Sequence, residues 1–154
     1  MGVLEHSVWI GARPEQVWPV YADPLRIPEW QTGSPVILDV QGMGGTPGST
    51  YVSKRGPGSA CTTVVEAERP HRLVTRTEAY FGLRFDVLSS LAAEADGTRL
   101  SLRAVTRWPR GLGLLGRLVE LAILNPREAE RELGNLKALV ESEAKTVRPD
   151  RDGE

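Results

Sequence analysis

The sequence predicts an α+β domain: a curved antiparallel sheet of seven strands, two short helices near the start, and one long C-terminal helix across the sheet. Three observations carry this. Residues 35–108 are a run of short segments, each apolar on alternate positions and separated from the next by turn residues. Ahead of them, one strand runs into two Pro-started helical turns. Behind them, Ala129, Leu133, Leu136 and Val140 recur at helical spacing, with Arg127, Glu130, Lys137 and Glu141 on other faces.

Taken in order, residues 5–10 form the first strand, with His6, Val8 and Ile10 on one face and Trp9 on the other. Pro14 suits the first helical position, where its missing N–H has no intrahelical partner to lose. Pro19 is expected to end or bend that helix after a turn or two. Asp23-Pro24 repeats the device, with a carboxylate placed to cap free N–H groups. Val36, Leu38 and Val40 alternate up to the glycine-rich loop 42–48, and residues 51–54 form a strand closed by Gly56-Pro57-Gly58. Cys61, Thr63, Val65 and Ala67 are assigned to the inner face, opposite Thr62, Glu66 and Glu68. After the Pro70-His71 turn, Leu73, Thr75, Thr77 and Ala79 continue the pattern, and Leu83, Phe85, Val87 and Leu91 follow Phe81-Gly82. Asp96-Gly97 signals a two-residue hairpin leading to Leu100, Leu102 and Ala104. An apolar helical piece over 112–124 should break or kink at Asn125, because Asn125-Pro126-Arg127-Glu128 sets out a cap, a first-position Pro and a Glu in capping-box register. One domain is expected over 1–145, with 146–154 a charged tail that frays.

Bulk properties exclude several function classes. With 154 residues, 40% of them apolar and 25% charged, the chain suits one soluble domain. A net charge of -1 gives no electrostatic basis for binding nucleic acid or an anionic membrane. The apolar stretch 112–124 is interrupted by Arg117 and Glu120 and is too short for membrane insertion. Cys61 is the only cysteine, which rules out an internal disulfide; with no secretory pattern at the N-terminus, the expected location is the cytoplasm. Oligomeric state has no signature in the sequence.

Candidates for chemistry are few. His71 belongs to a turn, and His6 is a weak candidate base on the inner face of the first strand. Two separated histidines and one cysteine supply no metal-ligand spacing, so neither a metal nor another cofactor is expected. There is no Gly-x-Ser-x-Gly elbow, and the 42–48 loop lacks the Lys-Ser/Thr and helix start of a phosphate loop. Arg84 and Asp86 are read as outer-face charges. Glu120, among apolar neighbours, either reaches water at the helix edge or carries a raised pKa.

The opening Ile10-Gly11-Ala12-Arg13-Pro14-Glu15-Gln16-Val17-Trp18, then Asp23-Pro24 and Pro28-Glu29-Trp30, resembles the helix-grip superfamily. This is the START and birch-pollen-allergen-like (SRPBCC) group, and the likeness is to its polyketide cyclase/dehydrase and lipid-transport branch. The resemblance implies a cavity between sheet and long helix, and a function that lies in what fills it. Members bind lipids and sterols, sequester natural products, confer antibiotic resistance or cyclise polyketides.

On this frame the expected ligand contacts are Tyr21 and Trp30 in the short helices, Tyr51, Thr63, Val65, Thr75 and Thr77 on the middle strands, and Phe85, Val87, Leu102 and Thr106 on the last two. Trp108 with Leu115, Leu118, Val119 and Ala122 is expected to form a mobile portal, loosened by Gly111, Gly113 and Gly116. Hydroxyls scattered on faces too poor in bulky residues for a solid core suit a pocket for an amphipathic molecule. The first functional expectation is therefore a binder of a hydrophobic, aromatic, polyketide-like molecule in a carrier, sequestering or resistance role. In a sacrificial version the portal glycines would be the reaction points. The alternative is a polyketide cyclase that enolises a bound poly-β-ketone, with His6, Tyr51, Thr63, Thr75 and Tyr80 as candidate groups. Such cyclases often carry an inward Arg or His. Every Arg on these strands is read here as outward, which favours the binder over the cyclase. A protein-interaction module of the same fold comes last, because the long helix leaves no large apolar stripe uncovered.

Overall fold

The structure is a computed structural model that describes residues 2–79, 82–107, 114, 118 and 125–147. Strand β1 (Gly2–Ile10) leads into helix α1 (Pro14–Tyr21) and a 3-10 helix (Pro24–Glu29). There follow β2 (Val36–Gln41), β3 (Thr50–Arg55), β4 (Gly58–Glu68), β5 (Arg72–Glu78), β6 (Arg84–Glu94), β7 (Gly97–Arg107) and helix α2 (Pro126–Val147). The seven strands form one antiparallel sheet in the order β1-β7-β6-β5-β4-β3-β2, so the meander β2 to β7 closes on the first strand. This is the helix-grip arrangement that the sequence predicts. No helix among the described residues is long and apolar enough to cross a membrane.

The outer face of the sheet carries charge pairs between directly opposed residues. Arg76 and Asp86, Arg84 and Glu78, and Arg103 and Glu5 are each cross-strand partners and ion pairs. The inner face carries the core, concentrated at one end of the sheet. Ile10, Val17, Leu91, Leu100, Leu136 and Val140 are fully buried there, where α1 and the second half of α2 meet β1, β6 and β7. Lys137 and Glu141 tie α2 to this end: Lys137 Nζ donates to the Trp9 carbonyl (2.9 Å) and to Glu141 (2.8 Å), and Glu141 accepts from the Gly11 N–H at 2.8 Å. Arg26 of the 3-10 helix clasps Glu143 farther along α2.

Helix α1 ends at Tyr21, two residues after Pro19 and about two turns long, as expected; burial of Val17, Trp18 and Val20 holds this short piece. Other local expectations change in the structure. The β6–β7 turn consists of Ala95 and Asp96, with Ala95 at φ +53°, one residue earlier than Asp96-Gly97. Gly97 is required by packing: a Cβ there would lie 2.6 Å from the Trp9 ring.

The larger correction is in β4. Its register to β5 shifts between Val64 and Glu66, so the strand bulges at Val65. Before the bulge, Thr62 and Val64 face inward, each about 95% buried, while Cys61 and Val65 are exposed. After it, Ala67 turns in against the core. The sequence pattern projects the correct parity of Ala67 back through the bulge, which misplaces Thr63 and Val65 on the inner face.

Candidate ligand cavity

At the other end of the sheet the inner face and the first half of α2 do not meet. They enclose a cavity of about 740 Å³. Ala129, Glu132 and Leu133 of α2 form its roof. Thr75, Thr77, Phe85, Val87, Leu102 and Ala104 form its floor on β5, β6 and β7. Tyr21 and Trp30 form an aromatic wall, their rings stacked with centroids 5.8 Å apart and 28° between planes. Asn135 of α2 donates to the Trp30 carbonyl at 3.2 Å and so fixes that wall to the roof. The Trp30 indole N–H is buried with no acceptor among the described residues.

Two groups of polar side chains line this apolar space. The first consists of hydroxyls. Tyr21 Oη is hydrogen-bonded to Ser89 Oγ, Thr62 Oγ1 lies 2.8 Å from Thr77 Oγ1, and Tyr51 is the cross-strand partner of Thr62. Burial pushes the Tyr21 phenol up to about 12, against the opposing effect of Ser89, and burial also raises that of Tyr51. Both phenols are therefore neutral hydrogen-bonding groups at physiological pH.

The second group brings together Arg55 of β3, Glu128 and Glu132 of α2, and Gln31 and Thr32 from the turn after the 3-10 helix. Arg55 Nη2 donates to Gln31 Oε1 at 3.2 Å and lies 3.6 Å from Glu132, while Nη1 lies 3.6 Å from Glu128. The Thr32 hydroxyl donates towards both carboxylates, 2.6 Å from Glu128 and 3.1 Å from Glu132, and the Thr32 N–H reaches Glu132 at 3.2 Å. Gly33 allows the guanidinium stem to pass, since it sits at φ +79° and a Cβ there would lie 2.9 Å from Arg55 Cδ. Desolvation raises the Glu132 carboxyl above its ordinary range, outweighing the hydrogen bonds from Thr32 and the charge of Arg55; the neighbouring Glu128 adds to the rise.

The structure brings Tyr21, Trp30, Tyr51, Thr75, Thr77, Phe85, Val87 and Leu102 together on the cavity wall. It places Thr63 and Val65 elsewhere, for the reason given above, and Thr62 takes the inward position. Thr106 is on the inner face but outside the lining, its hydroxyl bound to Gly2 at the sheet edge. Leu118 is exposed and also outside the lining. His6 shares the inner face with Leu4 and Val8, half-buried, and does not reach the cavity. Trp108, Leu115, Val119 and Ala122 lie outside the described residues, as do Tyr80, Glu120 and the portal glycines.

Sequence reasoning missed Arg55, Glu128, Glu132, Thr62 and Ser89. Arg55 corrects the expectation that every strand arginine faces outward: it follows Tyr51 and Ser53 at the two-residue period and lines the cavity with them. Asn125 does cap α2, its Oδ1 accepting from the Arg127 N–H at 3.1 Å, but the Glu128 carboxylate turns to Thr32. Helical spacing from Leu136 through Leu133 to Ala129 also carries Glu132 onto the inward side, and that signal was available.

Residues 1–141 match the family model described as polyketide cyclase / dehydrase and lipid transport. The chain belongs to this family. Solved structures support the same fold. A Rhodobacter sphaeroides protein matches at 22% identity over 91% of this chain and 93% of its own, with a TM-score of 0.69. Norcoclaurine synthase from Thalictrum flavum, solved with a transition-state analogue, matches at 15% identity over 93% and 96%, also at 0.69. DynU16, from the dynemicin biosynthetic locus, matches at 20% identity over 92% of this chain and 48% of that one, with a TM-score of 0.63. No curated protein matches the chain. Family membership makes the cavity the place to look for function, in a hydrophobic-ligand or cyclase role; the fold alone does not choose between them.

Proposed function

We propose that this family member binds a hydrophobic, aromatic, polyketide-like small molecule in the cavity and acts in the cytoplasm as a carrier or sequestering protein, including in resistance. The observation that carries this reading is the 740 Å³ space with its stacked Tyr21–Trp30 wall, a volume and chemistry suited to a planar ligand of a few rings. DynU16 belongs to a biosynthetic locus and norcoclaurine synthase holds a small-molecule analogue, so both relatives agree with a small-molecule role. Native mass spectrometry after exposure to a hydrophobic extract of the host tests it. Retention of an unchanged small molecule is expected, with retention lost when Ala104→Leu fills the floor. Absence of any retained molecule would sink the reading.

The second reading is a cyclase, favoured by one observation: Glu132, a carboxyl of raised pKa, lines the cavity beside Arg55. A carboxylate in that position is suited to take a proton from carbon α to a bound carbonyl, with the electron pair passing to the carbonyl oxygen. On this reading the same extract yields a converted product, and Glu132→Gln stops conversion while retention persists.

A further inference from the structure

The Glu132 carboxyl group is held by one of its two oxygens. The Thr32 N–H reaches Oε1 at 3.2 Å, the Thr32 hydroxyl lies 3.1 Å from the same atom, and Arg55 Nη2 stands 3.6 Å from it. Oε2 has no partner among the described residues, yet it is not sealed in protein as the Trp30 indole N–H is. The side chain is 21% exposed and lines the cavity from the roof.

These contacts also set where a proton sits. An oxygen that accepts N–H and O–H groups beside a guanidinium is favoured as the charged end, so the proton of the neutral form goes to the other oxygen. Thr32 is placed to enforce this. Its hydroxyl also lies 2.6 Å from Glu128 Oε1, and Glu128 is one helical turn before Glu132, so a single residue of the turn grips both. The charged groups facing Glu132, among the described residues, are Arg55 from β3 and Glu128 from its own helix; the turn supplies the neutral Gln31 and Thr32.

We infer that Thr32 is a positioning residue, which fixes Oε1 of Glu132 so that Oε2 is the oxygen presented to the ligand. Protonated, Oε2 is a hydrogen-bond donor; ionised, it is a base. This deepens the cyclase reading and rests on it for turnover. There the α C–H bond breaks and an O–H bond forms on Oε2. The C–H electron pair moves into a carbon–carbon double bond, and the carbonyl π pair goes to its oxygen.

Dicyclohexylcarbodiimide tests the placement without turnover. This apolar reagent adds to protonated carboxyl groups. The carboxyl proton passes to one carbodiimide nitrogen, the oxygen bonds to the central carbon, and the product rearranges to a stable N-acylurea that peptide mass spectrometry locates. Glu132 should label faster than Glu141 and Glu143, which are held ionised, and its rate should fall as pH rises through its raised value. Acetonaphthone, a two-ring aromatic ketone, should protect it. Thr32→Val removes the hydroxyl, so the rate at the acid plateau should drop at least about threefold as the carboxyl loses its fixed orientation. The midpoint should also move up, because a hydrogen bond that favours the charged form is gone. Thr32→Ser should restore both.

Faster labelling of Glu141 or Glu143, bound acetonaphthone that gives no protection, or a Thr32→Val protein with the parent's plateau and midpoint overturns the inference. The first two comparisons use the parent protein and stand even if the variant does not fold. Calorimetry with acetonaphthone tests the cavity separately, and absence of binding overturns the ligand reading. Labelling as expected, with no conversion of any extract component, overturns the cyclase reading and leaves Thr32 as the residue that orients Glu132.

Discussion

The two ends of the inner sheet face are built on the same strands and under the same helix, yet one is solid and the other hollow. On β7, Leu100 is fully buried while Leu102, two residues on and pointing the same way, borders the cavity. On β6 the change runs from Leu91 to Ser89 and Val87, and on α2 from Val140 and Leu136 to Glu132 and Ala129. At the solid end, large aliphatic side chains of sheet and helix interlock. At the hollow end, small or hydroxylated side chains face one another and cannot span the gap. Carboxylates on α2 follow the same division. Glu141 and Glu143 are held below their ordinary range, mainly by hydrogen bonds from Lys137 and Arg26, whereas desolvation lifts Glu132 above it. One end is fastened to hold the fold, and the other is left open at a cost in packing.

The largest expected effect tests the two leucines. Leu100→Ala should cost about 2–5 kcal/mol, the usual range for opening a cavity in a packed core. Leu102→Ala enlarges a space that already exists and should cost less than about half as much, as measured by urea unfolding. Equal losses would break the comparison.

Adding volume should reverse the ranking of the ends. Ala12→Leu at the solid end should overpack and lose about 1–3 kcal/mol. Ala104→Leu at the hollow end should leave the unfolding free energy within about 1 kcal/mol of the parent and weaken acetonaphthone binding by about tenfold or more. A well-folded Ala104→Leu protein with full affinity would remove the cavity floor from the site.

Smaller effects concern the carboxylates, and their signs are opposite. The Arg26–Glu143 pair is partly exposed and should contribute about 1 kcal/mol or less by double-mutant cycle. Because Glu143 binds its proton less tightly when folded, that contribution is present at neutral pH and should fade as pH drops below the ordinary value of 4.5. Glu132 binds its proton more tightly when folded, so its contribution is present below 4.5 and is lost as pH rises from there through its raised value. The stability of Glu132→Gln relative to the parent should therefore improve across that rise. Urea melts of both proteins over the acid range would show it, and a pH-independent difference would place Glu132 in water.

Most of the architecture was legible in the sequence, and the misreadings have local causes. Period-two patterning located every strand, because a half-buried strand must alternate, and helical spacing identified the long helix. The pattern failed where an extra residue breaks the period: the Val65 bulge reverses parity within one strand, and Thr63 stood in for Thr62. Glu128 and Glu132 escaped notice for a different reason. A Glu in the first turn of a helix reads as a capping residue, and a polar residue between apolar ones reads as solvated, unless the space below it is known to be empty.

By itself, then, the chain determined the order of strands and helices, the family resemblance and the existence of an inner face short of bulky residues. These follow from local periodicity and steric volume, which each segment carries on its own. Only the tertiary structure decided which hydroxyls meet, that Arg55 turns inward, and that a carboxylate from the last helix reaches Thr32, about a hundred residues earlier in the chain. Such contacts depend on how two surfaces approach each other, and no single segment encodes that distance.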